Sequence, residues 1–97
     1  MQSGRIEHRK AMSLAGRLEP PDRPLTSEVV SIENISSQGA QVVTHQNWAP
    51  HEHVILMDLI GDFRVEAEVI YCQRLRDDAY VAGLKFASPV GQQFIGA

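Results

Sequence analysis

The sequence predicts an all-β domain: six antiparallel strands closing into a β-barrel. Three observations lead there. Strand-sized apolar stretches recur along the chain with turn signals between them. Helical periodicity is scarce. The 97 residues, 43% of them hydrophobic, suit one small globular domain with one core, and closing the sheet on itself removes exposed edges.

Residues 1–11 read as a flexible, basic N-terminal arm, and residues 12–97 as the barrel. A first strand runs from Met12 to Leu18. Pro20-Pro21-Asp22-Arg23-Pro24 ends it, because prolines cannot donate to a central ladder. Leu25 to Glu33 forms a second strand with Val30 and Ile32 on one face. Gly39 to His45 is the third, followed by a loop over Gln46–Pro50. Val54 to Ile60 is apolar on both faces except at Asp58, as expected of a central, covered strand. Gly61-Asp62 has the glycine-first pattern of a two-residue hairpin turn.

In the fifth strand Phe63, Val65, Ala67, Val69 and Tyr71 alternate with Arg64, Glu66 and Glu68. That period of two assigns the first set to one face. Ile70 and Cys72 open a second apolar face at its end. Arg76-Asp77-Asp78 turns the chain, and Tyr80, Ala82, Leu84 and Phe86 line one face of the sixth strand. Pro89 ends it, and Val90 to Ile95 suits a short helical turn.

No apolar run approaches the roughly 18 residues of a membrane span. MQSGRIEHRK carries charge without a following apolar block, unlike a secretory signal. The single Cys72 cannot form an internal disulfide and fits a reducing, cytoplasmic setting. Net charge is −3, unevenly spread. Residues 1–17 hold Arg5, Arg9, Lys10 and Arg17 against Glu7, so 4 − 1 = +3. The rest holds five Lys/Arg against eleven Asp/Glu, so 5 − 11 = −6. A basic arm on an acidic body suggests a local anionic partner rather than a long polyanion; charge alone suits a frayed, solvated terminus better.

Several chemistries fit poorly. His45, His51 and His53 cluster in sequence, but no clear third zinc ligand stands at a usual spacing, so no metal is expected. Cys72 has no identifiable base or orienting group and reads as a small hydrophobe. Glu66 and Glu68 alternate with apolar residues, as on a solvated strand face. Glycine-rich nucleotide-enzyme loops are absent. Trp48 and Phe63 could serve as stacking platforms for a nucleic-acid barrel, but the strands lack the positive groove such binding needs. Neither catalysis, nor a nucleic acid polymer, nor membrane insertion is expected.

Two segments carry a positive signal. Arg5 and Arg9, in RIEHR, are spaced to share a face of either a helical turn or an extended arm. Two guanidinium forks can grip phosphates or the O6/N7 edge of guanine in bidentate fashion, which lysine cannot. The second segment, ENISSQGAQV, holds more hydrogen-bonding groups than a turn needs. Asn34 can read a base edge, Ser36 can cap the turn or meet a phosphate, and Gly39 permits positive φ and close ligand approach.

Together, RxxxR and [D/N]xSxxG in this order, within an all-β chain, resemble the PilZ domain family, the bacterial receptor modules for cyclic di-GMP. Ala82-Gly83-Leu84-Lys85-Phe86 also looks like that family's last strand. The resemblance implies a six-stranded barrel with the arm wrapping over ligand on its surface. It implies that Arg5 and Arg9 bind guanine and phosphate, that Asn34 recognises a guanine, and that Ser36 and Gly39 complete the loop. The ligand it implies is cyclic di-GMP, with no cofactor or catalysis, and with binding that orders the arm and alters contacts with a partner protein or domain. Asn34 stands where aspartate is common. An aspartate accepts from both donors of guanine's edge; an amide presents one acceptor oxygen. Many members continue into a helix where this chain ends at Ala97, so it is either a minimal or a shortened form. The alternative is a PilZ-like protein-interaction module that does not bind the nucleotide. Oligomeric state is left open.

Overall fold

The computed structural model describes residues 10–23, 26–59 and 63–89, with side chains from residue 14 onward. Six strands follow in order: β1 (Lys10–Glu19), β2 (Glu28–Ile35), β3 (Gly39–Thr44), β4 (His53–Asp58), β5 (Arg64–Arg76) and β6 (Ala79–Phe86). They form a closed antiparallel barrel in the order β1-β2-β3-β6-β5-β4, with β4 pairing back onto β1. The predicted fold class is therefore the observed one. The expected Gly61-Asp62 turn and the helical turn at Val90–Ile95 lie outside the described residues.

Alternation builds the core. Leu18, Val30, Ile32, Val42, Leu56, Val69, Ala82 and Leu84 point inward and are buried. In β4, Val54, Ile55 and Leu56 are all buried, although Ile55 lies outside the core cluster, so the expectation of a strand covered on both faces holds. The second strand begins later than its apolar residues suggest. The Thr26 amide bonds to the Arg23 carbonyl at 3.0 Å, and this turn delays β2 until Glu28.

Two irregularities decide what faces outward. The β2–β3 register slips between Ile32 and Asn34, so Glu33 is an extra residue. Ile35 stays buried while Asn34 pairs with the outward-facing Gln41. The β5–β6 register slips between Val69 and Tyr71, with Ile70 as the extra residue. This corrects the simple alternation: Tyr71 turns outward instead of continuing the inward series. Ile70 and Tyr71 are 47% and 36% exposed, and Cys72 packs against the core in their place.

Between β3 and β4, which are not neighbours, the connection 45–52 brings Trp48 into the core. Thr44, fully buried, anchors it: its Oγ1 accepts from Trp48 Nε1 at 3.1 Å and donates to the Glu28 carboxylate at 2.8 Å. Replacing Thr44 by valine keeps the shape but strands the indole N–H. We expect a loss of about 1–3 kcal/mol in stability, read as a lower denaturant midpoint with an unchanged slope. An unchanged midpoint would show that the hydroxyl contributes nothing there.

Candidate functional site

The β2–β3 hairpin brings three of the expected site residues, Asn34, Ser36 and Gly39, to one part of the barrel surface. Arg5 and Arg9 lie outside the described residues. At the hairpin tip the Ser36 amide bonds to the Gly39 carbonyl at 2.8 Å, leaving Ser37 and Gln38 as the loop. Ser36 Oγ accepts from the Gln38 amide at 3.2 Å, the self-capping expected of a serine in a turn. The tip is also fastened to β6, where the Phe86 amide donates to the Gln38 carbonyl at 2.8 Å.

Gly39 is needed for a different reason than expected. Its φ is not in the left-handed region, so backbone freedom is not what the position demands. Instead, an added Cβ would sit 2.2 Å from the Leu84 carbonyl oxygen. Only a residue without a side chain lets the loop lie this close to β6.

Beside the hairpin lies an open groove of about 260 Å³, lined in part by Ser36, Gly39, Gln41, Tyr71, Gly83 and Lys85. Lys85 is the one charged residue among its described lining, so the groove is biased toward anions despite the acidic barrel. Tyr71 lies over Gly83: a Cβ there would be 2.2 Å from the Tyr71 Cε2. The glycine thus seats an aromatic ring on the sheet surface.

The side chains across this face are joined in sequence from strand to strand. Asn34 Nδ2 donates to Gln41 Oε1 at 3.0 Å, and Gln41 Nε2 donates to the Tyr71 hydroxyl at 2.9 Å. The remaining polar atom of the first amide, Asn34 Oδ1, is buried and has no hydrogen-bond partner among the described residues. Leaving such an acceptor unsatisfied costs roughly 1–3 kcal/mol, so a donor delivered to it would be bound favourably. Gln41 and Tyr71 are additions to the residues expected from sequence. Their signal was the apolar run Ile70-Tyr71-Cys72, which breaks the alternation, and Gly83 inside a strand, which marks close approach.

Other reactive groups are committed elsewhere. His45 Nδ1 lies 2.6 Å from the Asp78 carbonyl oxygen, and His51 Nδ1 lies 2.7 Å from Glu68 Oε2. The His51 bond holds the Glu68 carboxyl below its ordinary value. No group of three or more His, Cys, Asp or Glu among the described residues could hold a metal ion. Burial pushes the Cys72 thiol up, and the nearby Glu28 charge adds to this. Trp48 and Phe63 are both buried, so neither is an open stacking platform. No described helix is long and apolar enough to cross a membrane.

A closed barrel carries on its surface an open groove with one lysine, and the lining residue Gln41 joins that groove to the unsatisfied Asn34 amide; such an open surface groove suits a small ligand. The PilZ domain family model matches residues 4–95, and the chain belongs to that family. PilZ domains are binding modules rather than enzymes, and the family comprises cyclic di-GMP receptors. A solved structure of the Bacillus subtilis inhibitor of motility MotI/DgrA is similar, with a TM-score of 0.67 and 17% identity. The match covers 95% of this chain and 46% of that one, so this chain spans less than half of its length. No curated protein matches the chain.

Proposed function

We propose that the protein is a bacterial, cytoplasmic effector that binds cyclic di-GMP between the arginines of its N-terminal arm and the Asn34–Gly39 loop. The carrying observation is the buried, unpartnered Asn34 carbonyl oxygen beside an anion-favouring groove. Guanine's Watson–Crick edge offers donors to such an acceptor, and the outward Tyr71 ring offers a purine an aromatic face. Lys85 supplies charge for a phosphate, and Arg5 and Arg9 supply the rest. Ligand binding orders the arm and alters contacts with a partner protein or domain.

Calorimetric titration of the full chain with cyclic di-GMP tests this reading. Saturable binding at tens of micromolar protein or below supports it. No heat across that range favours the protein-interaction module that does not bind the nucleotide.

A further inference from the structure

We infer that Gln41, braced by Tyr71, is a positioning and specificity-determining residue. It fixes the Asn34 amide so that its buried carbonyl oxygen, not its NH2 group, is the atom left without a protein partner, to be met by a donor of the ligand. The inference rests on the cyclic di-GMP reading of the site.

The ladder places the participants in one row. Asn34 on β2 pairs with Gln41 on β3, Gln41 pairs with Gly83 on β6, and Gly83 pairs with Tyr71 on β5. Because Gly83 has no side chain, the Tyr71 ring lies across β6 and its hydroxyl reaches Gln41. The bulge at Ile70 puts Tyr71 on this outer face. Gln41 thus uses its carbonyl to accept from Asn34 and its NH2 to donate to Tyr71.

This direction has a chemical consequence. An unconstrained asparagine can turn its amide over and offer a donor or an acceptor to the same place. Here the NH2 is committed to Gln41 and the buried Oδ1 is left over. Running the row the other way would leave a donor orphaned, the rarer arrangement in protein interiors. Adenine presents an unprotonated N1 where guanine presents N1–H, so an acceptor at this position selects guanine. An aspartate has this property intrinsically, since both of its oxygens accept. Gln41 and Tyr71 confer it on an amide.

The test is a double-mutant cycle. Affinities for cyclic di-GMP and cyclic di-AMP are measured by calorimetry for the full chain, Gln41→Met, Asn34→Asp and the double variant. With Asn34 present, Gln41→Met is expected to weaken cyclic di-GMP binding about tenfold, as loss of one orienting hydrogen bond implies, and to narrow the preference over cyclic di-AMP. In the Asn34→Asp background the same substitution is expected to change affinity by less than about twofold, since a carboxylate has no polarity to set. Tyr71→Phe serves as a second variant that removes only the bracing hydroxyl, with a smaller loss in the same direction. Thermal unfolding of each variant distinguishes lost orientation from lost structure. An equal loss in both backgrounds would overturn the inference, as would no loss with Asn34 present. If the original chain fails to bind cyclic di-GMP, the functional reading falls and this inference with it. If it binds but ignores Gln41→Met, only the inference falls.

Discussion

Replacing Arg9 by alanine is expected to weaken cyclic di-GMP binding by on the order of 2–5 kcal/mol, the cost of removing one partner of a charged, bidentate contact. That corresponds to roughly thirty- to several-thousandfold in Kd. The ligand carries two phosphates, whereas the described lining of the groove supplies one cation, Lys85. The barrel from residue 18 onward has a formal charge of −6. Charge balance therefore depends on the arm. Arg9→Lys should recover only part of the loss, because an ammonium restores charge but not the planar fork. Calorimetry at fixed ionic strength reads both variants. An Arg9→Ala chain binding within twofold of the original would remove Arg9 from the site.

Gly39→Ala is expected to damage both fold and binding. The new Cβ would meet the Leu84 carbonyl oxygen at 2.2 Å and its carbon at 3.3 Å, and both atoms belong to the backbone of the paired strand. Neither can step aside by changing a rotamer, so the hairpin tip must lift from β6. Such overpacking costs about 1–3 kcal/mol. The displaced tip also separates Ser36 from Lys85 across the groove, so affinity should fall at least about tenfold if one hydrogen-bonded contact is lost. Gly83→Ala makes an instructive contrast. The nearest atoms to its Cβ would all belong to the Tyr71 side chain, which can swing away. It should cost less stability than Gly39→Ala while still breaking the Gln41–Tyr71 bond. Equal unfolding midpoints for the two variants would contradict this distinction between backbone and side-chain obstruction.

The hairpin loop was legible in the sequence because its information is local. Asn34, Ser36 and Gly39 lie close together in one short hairpin segment, and the hydroxyl of Ser36 states its turn chemistry directly. The Arg76-Asp77-Asp78 turn was readable for the same reason: Asp78 adopts φ 62°, a conformation that aspartate tolerates well. Tyr71 was not readable in this way. The alternation that correctly turned Val65, Ala67 and Val69 inward assigned Tyr71 to the core as well, and one inserted residue reversed it. Neither glycine nor proline stands at Ile70 to announce that insertion.

By itself, then, the sequence determined the number and order of the strands, the β2–β3 and β5–β6 turns, the inward apolar series apart from Tyr71, and the loop with its polar groups. These follow from periodicity and turn preferences acting over a few neighbouring residues. The tertiary structure alone decided which strands adjoin, and so which distant residues share a face. Register between β5 and β6 put Tyr71 over Gly83, and register between β2 and β3 put Asn34 beside Gln41. The close passage of β6 made Gly39 a matter of space rather than of φ. The row from Asn34 through Gln41 and Gly83 to Tyr71 crosses β2, β3, β6 and β5, so the direction in which Asn34 offers its amide could emerge only once those four strands were paired in register.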